Sequence, residues 1–192
     1  MISINVSSQN MDKVIRLMTK APKEVQKAAA VSINRTILTA RKEASVNIRK
    51  NYIIKAKDIK AALSYTRAQG NGFLMGEIKA KGSAPLLSAF RVSIYKRTKR
   101  GYTRPPKVQV LKSSGAKTVN GMFHGKSKSS GYIGFMQRTS KKSYPLRIPH
   151  GPSVAQMLGS KRVLNVITAK AEETLNKRFL HEIEYRINKL GV

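Results

Sequence analysis

From Ile78 through Ala171 the chain runs for 94 residues without one carboxylate side chain, while the same span holds 20 Lys and Arg. Whatever this middle folds into has no acidic side chains of its own for salt bridges, and its charge must be answered from elsewhere. The nine acids, Asp12, Glu24, Glu43, Asp58, Glu77, Glu172, Glu173, Glu182 and Glu184, all lie to either side. Residues 1–77 carry +9 and residues 172–192 are neutral, which with the +20 middle gives a formal net charge of +29 over 192 residues. Self-repulsion on this scale costs stability unless a polyanion or an acidic protein face offsets it. Solubility alone asks for a net charge of only about 2–8. A standing anionic partner is therefore expected.

The flanks read as helices. Val25, Ala29, Ile33, Ile37, Ala40, Ala44 and Ile48 recur at spacings of three and four, one apolar stripe on a helix opened by Pro22 and running to about Lys50. Lys27, Asn34, Arg41 and Arg49 fall on its other faces. A second stripe, Leu164, Ile167, Ala171, Leu175, Phe179, Ile183, Ile187 and Leu190, predicts a C-terminal helix over 160–190, with Ser160 placed to cap it and Gly191 just past its end. Glu173–Lys177 and Glu182–Arg186 make i,i+4 pairs there, worth about 0.2–0.5 kcal/mol each. The neutral end of the chain thus reads as a structural brace or a subunit contact. Nearer the start, Asn10 can cap a helix through Met11, Val14, Ile15, Leu17 and Met18, and Ile2, Ile4 and Val6 alternate as a strand.

Between the flanks the period turns to two. Asp58–Leu63 is a short helix; Leu63, Tyr65 and Phe73–Ala80 favour strands joined through Gly70-Asn71-Gly72, a hairpin pattern. Pro85–Phe90 is a compact apolar segment. Arg91–Lys96, Val108–Leu111 and Tyr132–Arg138 are further strands, and Ser153–Leu158 is a short helix ending at Gly159. Residues 96–107 and 112–131 break this pattern with clustered Lys, Arg, Gly, Ser and Pro. They read as flexible basic loops or strand-joining arms, which compact domains seldom carry without a functional reason. The expected fold class is α+β: a mainly antiparallel sheet packed by two long amphipathic helices, in a single domain over 1–192 without internal repeats.

Several classes of protein are disfavoured. The absence of Cys removes disulfide frameworks, thiolate metal sites and thiol nucleophiles. No apolar stretch approaches the roughly 20 residues a membrane-spanning helix needs, and Met1–Asn10 lacks the basic start and apolar run of a signal peptide. The expectation is a chain made and used without export and without membrane contact. His124, His150 and His181 are far apart, and His181-Glu182 lacks the second histidine of a zinc-protease helix. A two-metal nuclease needs clustered carboxylates, and the middle has none. Ser93-x-x-Lys96 is a chance spacing in a Lys-rich chain, and no phosphate-binding glycine loop occurs. No catalytic residue, metal site or cofactor is expected.

The remaining chemistry is electrostatic. Neutralising phosphates with Lys and Arg releases counterions and yields sequence-independent affinity. The candidate contacts to DNA or to an acidic partner are Arg91, Lys96, Arg97, Lys99, Arg100, Arg104, Lys107, Lys112, Lys117, Lys126, Lys128 and Arg138. Arg138 has two open readings, structural or DNA-facing. Tyr95, Tyr102, Tyr132 and Tyr144 either stack on bases or pack into the core. No zinc finger or RNA-recognition signature is present.

An ordered series of short motifs resembles a known family. Ala29–Thr36 (Ala-Ala-Val-Ser-Ile-Asn-Arg-Thr), the Pro85-Leu86 step after a strand, the basic stretch near residue 100, and Phe135-Met136-Gln137-Arg138 followed by Tyr144-Pro145-Leu146 are similar to the minor tail protein Z, or tail completion, family of lambda-like siphophages. Length, charge and the long final helix agree; the Lys/Ser/Gly stretch at 112–131 has no counterpart in that series. The resemblance implies a non-enzymatic virion protein at the head-proximal end of a non-contractile tail, assembled in the host cytoplasm, assisting head–tail joining and positioning of the genome end. Its implied partners are tail terminator, tube or neck proteins, further copies of itself in a ring of about six, and genome DNA through non-specific phosphate contact. Two rivals make different demands. A ribosomal-like RNA-binding protein is a monomer with a steep salt dependence, and a basic nuclease depends on metal and on carboxylates.

Overall fold

The computed structural model describes residues 8–70, 74–93, 97–98, 101–102, 106–127, 131–142 and 144–191. The strand expected over Ile2–Val6 lies outside them. In chain order the first elements are α1 (Ser8–Lys20), α2 (Pro22–Asn51), α3 (Ala56–Ala62), β1 (Leu63–Thr66) and β2 (Glu77–Ala80). A 3-10 turn at Leu87–Ala89 leads to β3 (Arg91–Ser93), β4 (Arg97–Thr98), β5 (Gly101–Tyr102), β6 (Lys107–Gln109) and β7 (Lys117–Thr118). Then come β8 (Met122–Lys126), β9 (Ile133–Arg138), β10 (Leu146–Arg147), α4 (Val154–Leu158) and α5 (Lys161–Leu190). The protein is α+β, with its strands in small antiparallel sheets. No helix among the described residues is long and apolar enough to cross a membrane.

Two compact units share the chain. Unit 1 takes Met1–Asn47, Leu63–Lys81 and Leu158–Val192; unit 2 takes Ile48–Ala62 and Gly82–Met157.

Unit 1 is organised around α2. Small residues on one side of this helix, Ala28 and Ala29, let Val14 and Leu17 of α1 and Phe179 and Ile183 of α5 close into one buried cluster. Burying each of the larger side chains is worth about 1.5–3 kcal/mol. The other side of α2 receives the β1–β2 hairpin, whose register pairs Leu63 with Ala80 and Thr66 with Glu77. Asn34 ties the loop down: its side-chain amide donates to the Ala68 carbonyl at 3.0 Å and its oxygen accepts from the Ala68 N–H at 2.8 Å. At Gly76 a Cβ would stand 2.0 Å from Ile37 Cδ1, so the missing side chain is what lets the segment reach the helix. The Arg41 guanidinium lies 5.3 Å from the centre of the Tyr65 ring. Packing on two sides explains why Ser32 is buried, its hydroxyl donating back to the Ala28 carbonyl at 2.7 Å.

Three local expectations are revised. α1 begins at Ser8, two residues before Asn10. The buried row of α5 is Val163, Ile167, Ala171, Leu175, Phe179 and Ile183, whereas Leu164 and Leu190 are 45% and 46% exposed. An unbroken four-residue step from Val163 keeps to one side, and Leu164 sits about 100° round the helix from it. Glu173 pairs backward with Lys170 at 2.9 Å, the Glu–Lys bond observed there, in place of the expected Lys177. The helix ends as expected, on Gly191 in left-handed conformation (φ 64°, ψ 33°) with its N–H on the Ile187 carbonyl. Ser160 holds the N-cap position but forms no side-chain cap bond to the helix.

Unit 2 carries the sheets. β3, β6 and β7 form one three-stranded sheet in the order β3-β6-β7, and a second has the order β10-β9-β8. β4 and β5 make a two-stranded ribbon. The end of α2 joins the first sheet's connections, since the Lys112 N–H donates to the Asn51 carbonyl and the Ile53 N–H to Val110, both at 2.9 Å. Pro85-Leu86 docks on 149–151: the Leu87 N–H reaches the Pro149 carbonyl at 3.0 Å and the Gly151 N–H reaches Pro85 at 2.8 Å. A Cβ at Gly151 would lie 2.2 Å from Phe90 Cε2. Ser153 and Gln156 satisfy each other's backbone N–H groups, a capping box that starts α4. The stretch 112–131 contains β7 and β8, so part of what composition marks as loop pairs as strand.

Candidate electropositive interface

Unit 2 contains 20 Lys and Arg against the single acid Asp58, or +19; unit 1 contains 18 against eight acids, or +10. Several acids of unit 1 are paired with cations of the same unit. Glu182, with its side chain 8% exposed, takes Arg35 Nη1 at 2.7 Å on one oxygen and Arg186 on the other. Arg186 Nε also faces Glu24 at 3.3 Å, an ion pair without hydrogen-bond geometry, and Glu24 accepts from Lys27 at 2.6 Å. That hydrogen bond from Lys27 is the main cause holding the Glu24 carboxyl below its ordinary value. Glu184 is lowered in the same way by the hydrogen bond from Lys13, at 2.6 Å.

Six cations of unit 2, Arg91, Lys107, Lys117, Lys126, Arg138 and Arg147, stand on exposed strand positions. In the β3-β6-β7 sheet, Val92 opposes Val108, which is buried, and directly opposed residues share a face. Arg91, Ser93, Lys107, Gln109 and Thr118 therefore share the outer face, and Arg91 and Lys107 are diagonal neighbours on it. Diagonal neighbours lie ~7 Å apart at the backbone, so the two cations share one small patch of surface. Lys117, on β7, opposes Val108 and so takes the other face, where it is exposed at the sheet edge. Lys112 is exposed in the turn after the Asn51 contact.

In the second sheet, Lys126 opposes Ile133 and Arg138 opposes Leu146. The five-residue step from Ile133 to Arg138 separates these two cations by roughly 17 Å along the strand. Arg138 is exposed, with its guanidinium 5.0 Å from the Phe123 ring centre, so packing on an aromatic and facing solvent are both realised. Phe135 and Met136, adjacent in the matched motif, are buried on opposite faces. Gln137 holds Arg147, accepting from its Nε at 2.9 Å and Nη2 at 2.7 Å, and donates to the Asn120 carbonyl at 2.7 Å. Arg147, Lys141 and Lys142 are exposed cations that the sequence reading did not single out; their place beside the Tyr144-Pro145-Leu146 motif was the available signal. Of the remaining expected contacts, Arg97 is described only by its backbone in β4. Lys96, Lys99, Arg100, Arg104 and Lys128 lie outside the described residues.

His124 stands edge-on to the Phe135 ring, 5.2 Å between centres at 73°, and His150 bridges Leu86 through its backbone. Among the described residues no group of three or more His, Cys, Asp or Glu is placed to hold a metal ion.

Fold and surface together define a basic α+β protein in which a buried carboxylate, Glu182, lies among helices while the unit that carries most of the strands holds 20 cations and one acid. The chain belongs to the prophage minor tail protein Z family, whose profile matches residues 9–190 of 192. It is thereby a structural protein of the phage tail and virion-associated. No curated protein sequence and no solved structure gives a significant match.

Proposed function

We propose that this minor tail protein acts at the head-proximal end of the tail as a tail completion protein. It readies the tail for joining to the head and meets the genome end through non-specific phosphate contacts. The observation that supports this reading is the segregation of charge: residues 82–157 offer Arg91, Lys107, Lys117, Lys126 and Arg138 on exposed strand positions and contain no carboxylate. A ring of about six copies, closed by one head-to-tail contact repeated around the axis, gathers roughly +174 around a channel that must hold DNA. Tail terminator, tube or neck proteins with acidic rims are the neighbours that such a surface suits. Catalysis has no part in this reading.

The test starts from tails assembled without the protein. Adding the purified chain is expected to restore joining to filled heads, scored by electron microscopy, with a gold-labelled antibody at the head-proximal end. Label at the distal tip, or equal joining with and without the protein, overturns the proposal. So does a monomer that ignores tails and binds RNA in preference to DNA.

A further inference from the structure

On the β10-β9-β8 sheet an open pocket of about 550 Å³ is lined by Tyr132, Met136, Tyr144, Pro145, Leu146 and Ile148. Two glycines clear its neighbourhood. Gly134 and Gly125 are directly opposed across β9 and β8, and the Tyr132 hydroxyl lies where a Cβ on Gly134 would be, 2.4 Å from it. The ring of Tyr132 is thus laid back across the sheet. Tyr144 is 57% exposed and Ile148 38%. Among the described residues, the charged neighbours of the lining in sequence and register are cations: Lys126 adjoins the pocket's Ser127, Lys141 and Lys142 lead to Tyr144, Arg147 stands between Leu146 and Ile148, and Arg138 opposes Leu146. All five are exposed.

An apolar pocket with two aromatic walls and five cations next to its lining has a chemically definite complement: a flat, apolar group carried on an anionic backbone. An acidic peptide supplies the anion but no flat faces at regular intervals. A double helix supplies phosphates but keeps its bases stacked inside. Unpaired nucleotides supply both, with each base offering a π-face to an aromatic side chain and each phosphate a charge to the Lys and Arg around it. The volume, within the roughly 300–1,000 Å³ of ordinary ligand sites, accommodates a base with its sugar.

We infer that this pocket is a base-stacking subsite for single-stranded nucleic acid, with Tyr144 as the principal stacking face and Tyr132 as the wall behind it. The inference rests on the proposed DNA contact of unit 2 and adds a preference for unpaired over paired nucleotides.

The test uses the full chain and its Tyr144→Trp variant, which carries the only Trp in the molecule. An oligothymidine of about 20 nucleotides, longer than typical single-strand site sizes of about 4–16, is compared with a duplex of equal length. Expected are quenching of the Trp by the single strand and not by the duplex, and a loss of about tenfold in single-strand affinity for Tyr144→Ala. Duplex affinity and the salt slope should stay as in the parent protein, because no phosphate contact is removed. Equal losses for both nucleic acids, or quenching by an oligoglutamate peptide as strong as by DNA, overturn the subsite and leave the phosphate contact standing. Failure of the parent protein to bind either nucleic acid overturns the DNA contact itself.

Discussion

Replacing Glu182 by Gln keeps the shape of the side chain and removes the one charge that two guanidinium groups share. Arg186 is nearly as buried as Glu182, 11% against 8% of side-chain surface, while Arg35 is half exposed. Removing one partner of a buried pair costs about 3–5 kcal/mol. Here Arg186 keeps Glu24 at 3.3 Å and Arg35 can rehydrate, so the low end, about 3 kcal/mol, applies. For a chain of this length each kcal/mol moves Tm by about 2–4 °C, which gives a fall of about 6–12 °C. The control is Glu184→Gln, whose partner Lys13 and own side chain are both about half exposed. That loss should stay within about 1 kcal/mol and shrink further in high salt. Thermal melts by circular dichroism at low and high ionic strength, with Arg35→Ala to close a double-mutant cycle, separate the two. If Glu182→Gln melts with Glu184→Gln, the cluster does not hold α2 to α5 and this account of unit 1 fails.

Other consequences follow from single positions. Gly151→Ala should cost about 1–3 kcal/mol by forcing the buried Phe90 ring aside, read as a lower denaturant midpoint, and Phe90→Leu in the same chain should recover part of it. Gly76→Ala meets Ile37 Cδ1 and Cγ1 and Ile33 Cγ2, so pairing it with Ile37→Val, which removes the nearest of these atoms, should relieve part of its loss, measured by the same midpoint. The carboxyls of Glu24 and Glu184 are held below their ordinary value near 4.5 by Lys27 and Lys13. Their stabilisation is therefore complete above that pH and is lost as pH falls through the lowered folded-state values. The stability gap between the parent protein and a Glu24→Gln, Glu184→Gln double variant should close on acidification; a gap that widens contradicts the pairing.

What the sequence made legible was periodicity. α2 and α5 were visible because their apolar steps persist for eight turns, and the β1–β2 hairpin because Leu63, Tyr65 and Ile78 bracket a glycine-rich turn. The choice between Val163 and Leu164 was not, since both fit a spacing of three or four and only the position of the neighbouring helix decides. Glu182–Arg186 looked like a surface pair; its burial depends on Arg35 and Glu24, which arrive from α2 far away in the chain. β8 was hidden because His124, Gly125 and Lys126 have weak strand preference and pair only when β9 is beside them. For the interface, the lack of acids between 78 and 171 was readable at once. Which cations share a face was not, because alternation becomes a face only after the register Val92–Val108 is fixed.

The central claim is that where the positive charge sits matters, beyond its total. Arg91→Glu, Lys107→Glu and Lys117→Glu together should be compared with Lys20→Glu, Lys23→Glu and Lys42→Glu, three exposed cations of unit 1, by complementation of a phage lacking the protein. Both triple variants change net charge equally. The expected result is folded protein in both cases, completed tails only with the unit 1 variant, and a salt slope for DNA binding reduced by about 3 only with the unit 2 variant. Equal complementation by the two variants would contradict the account.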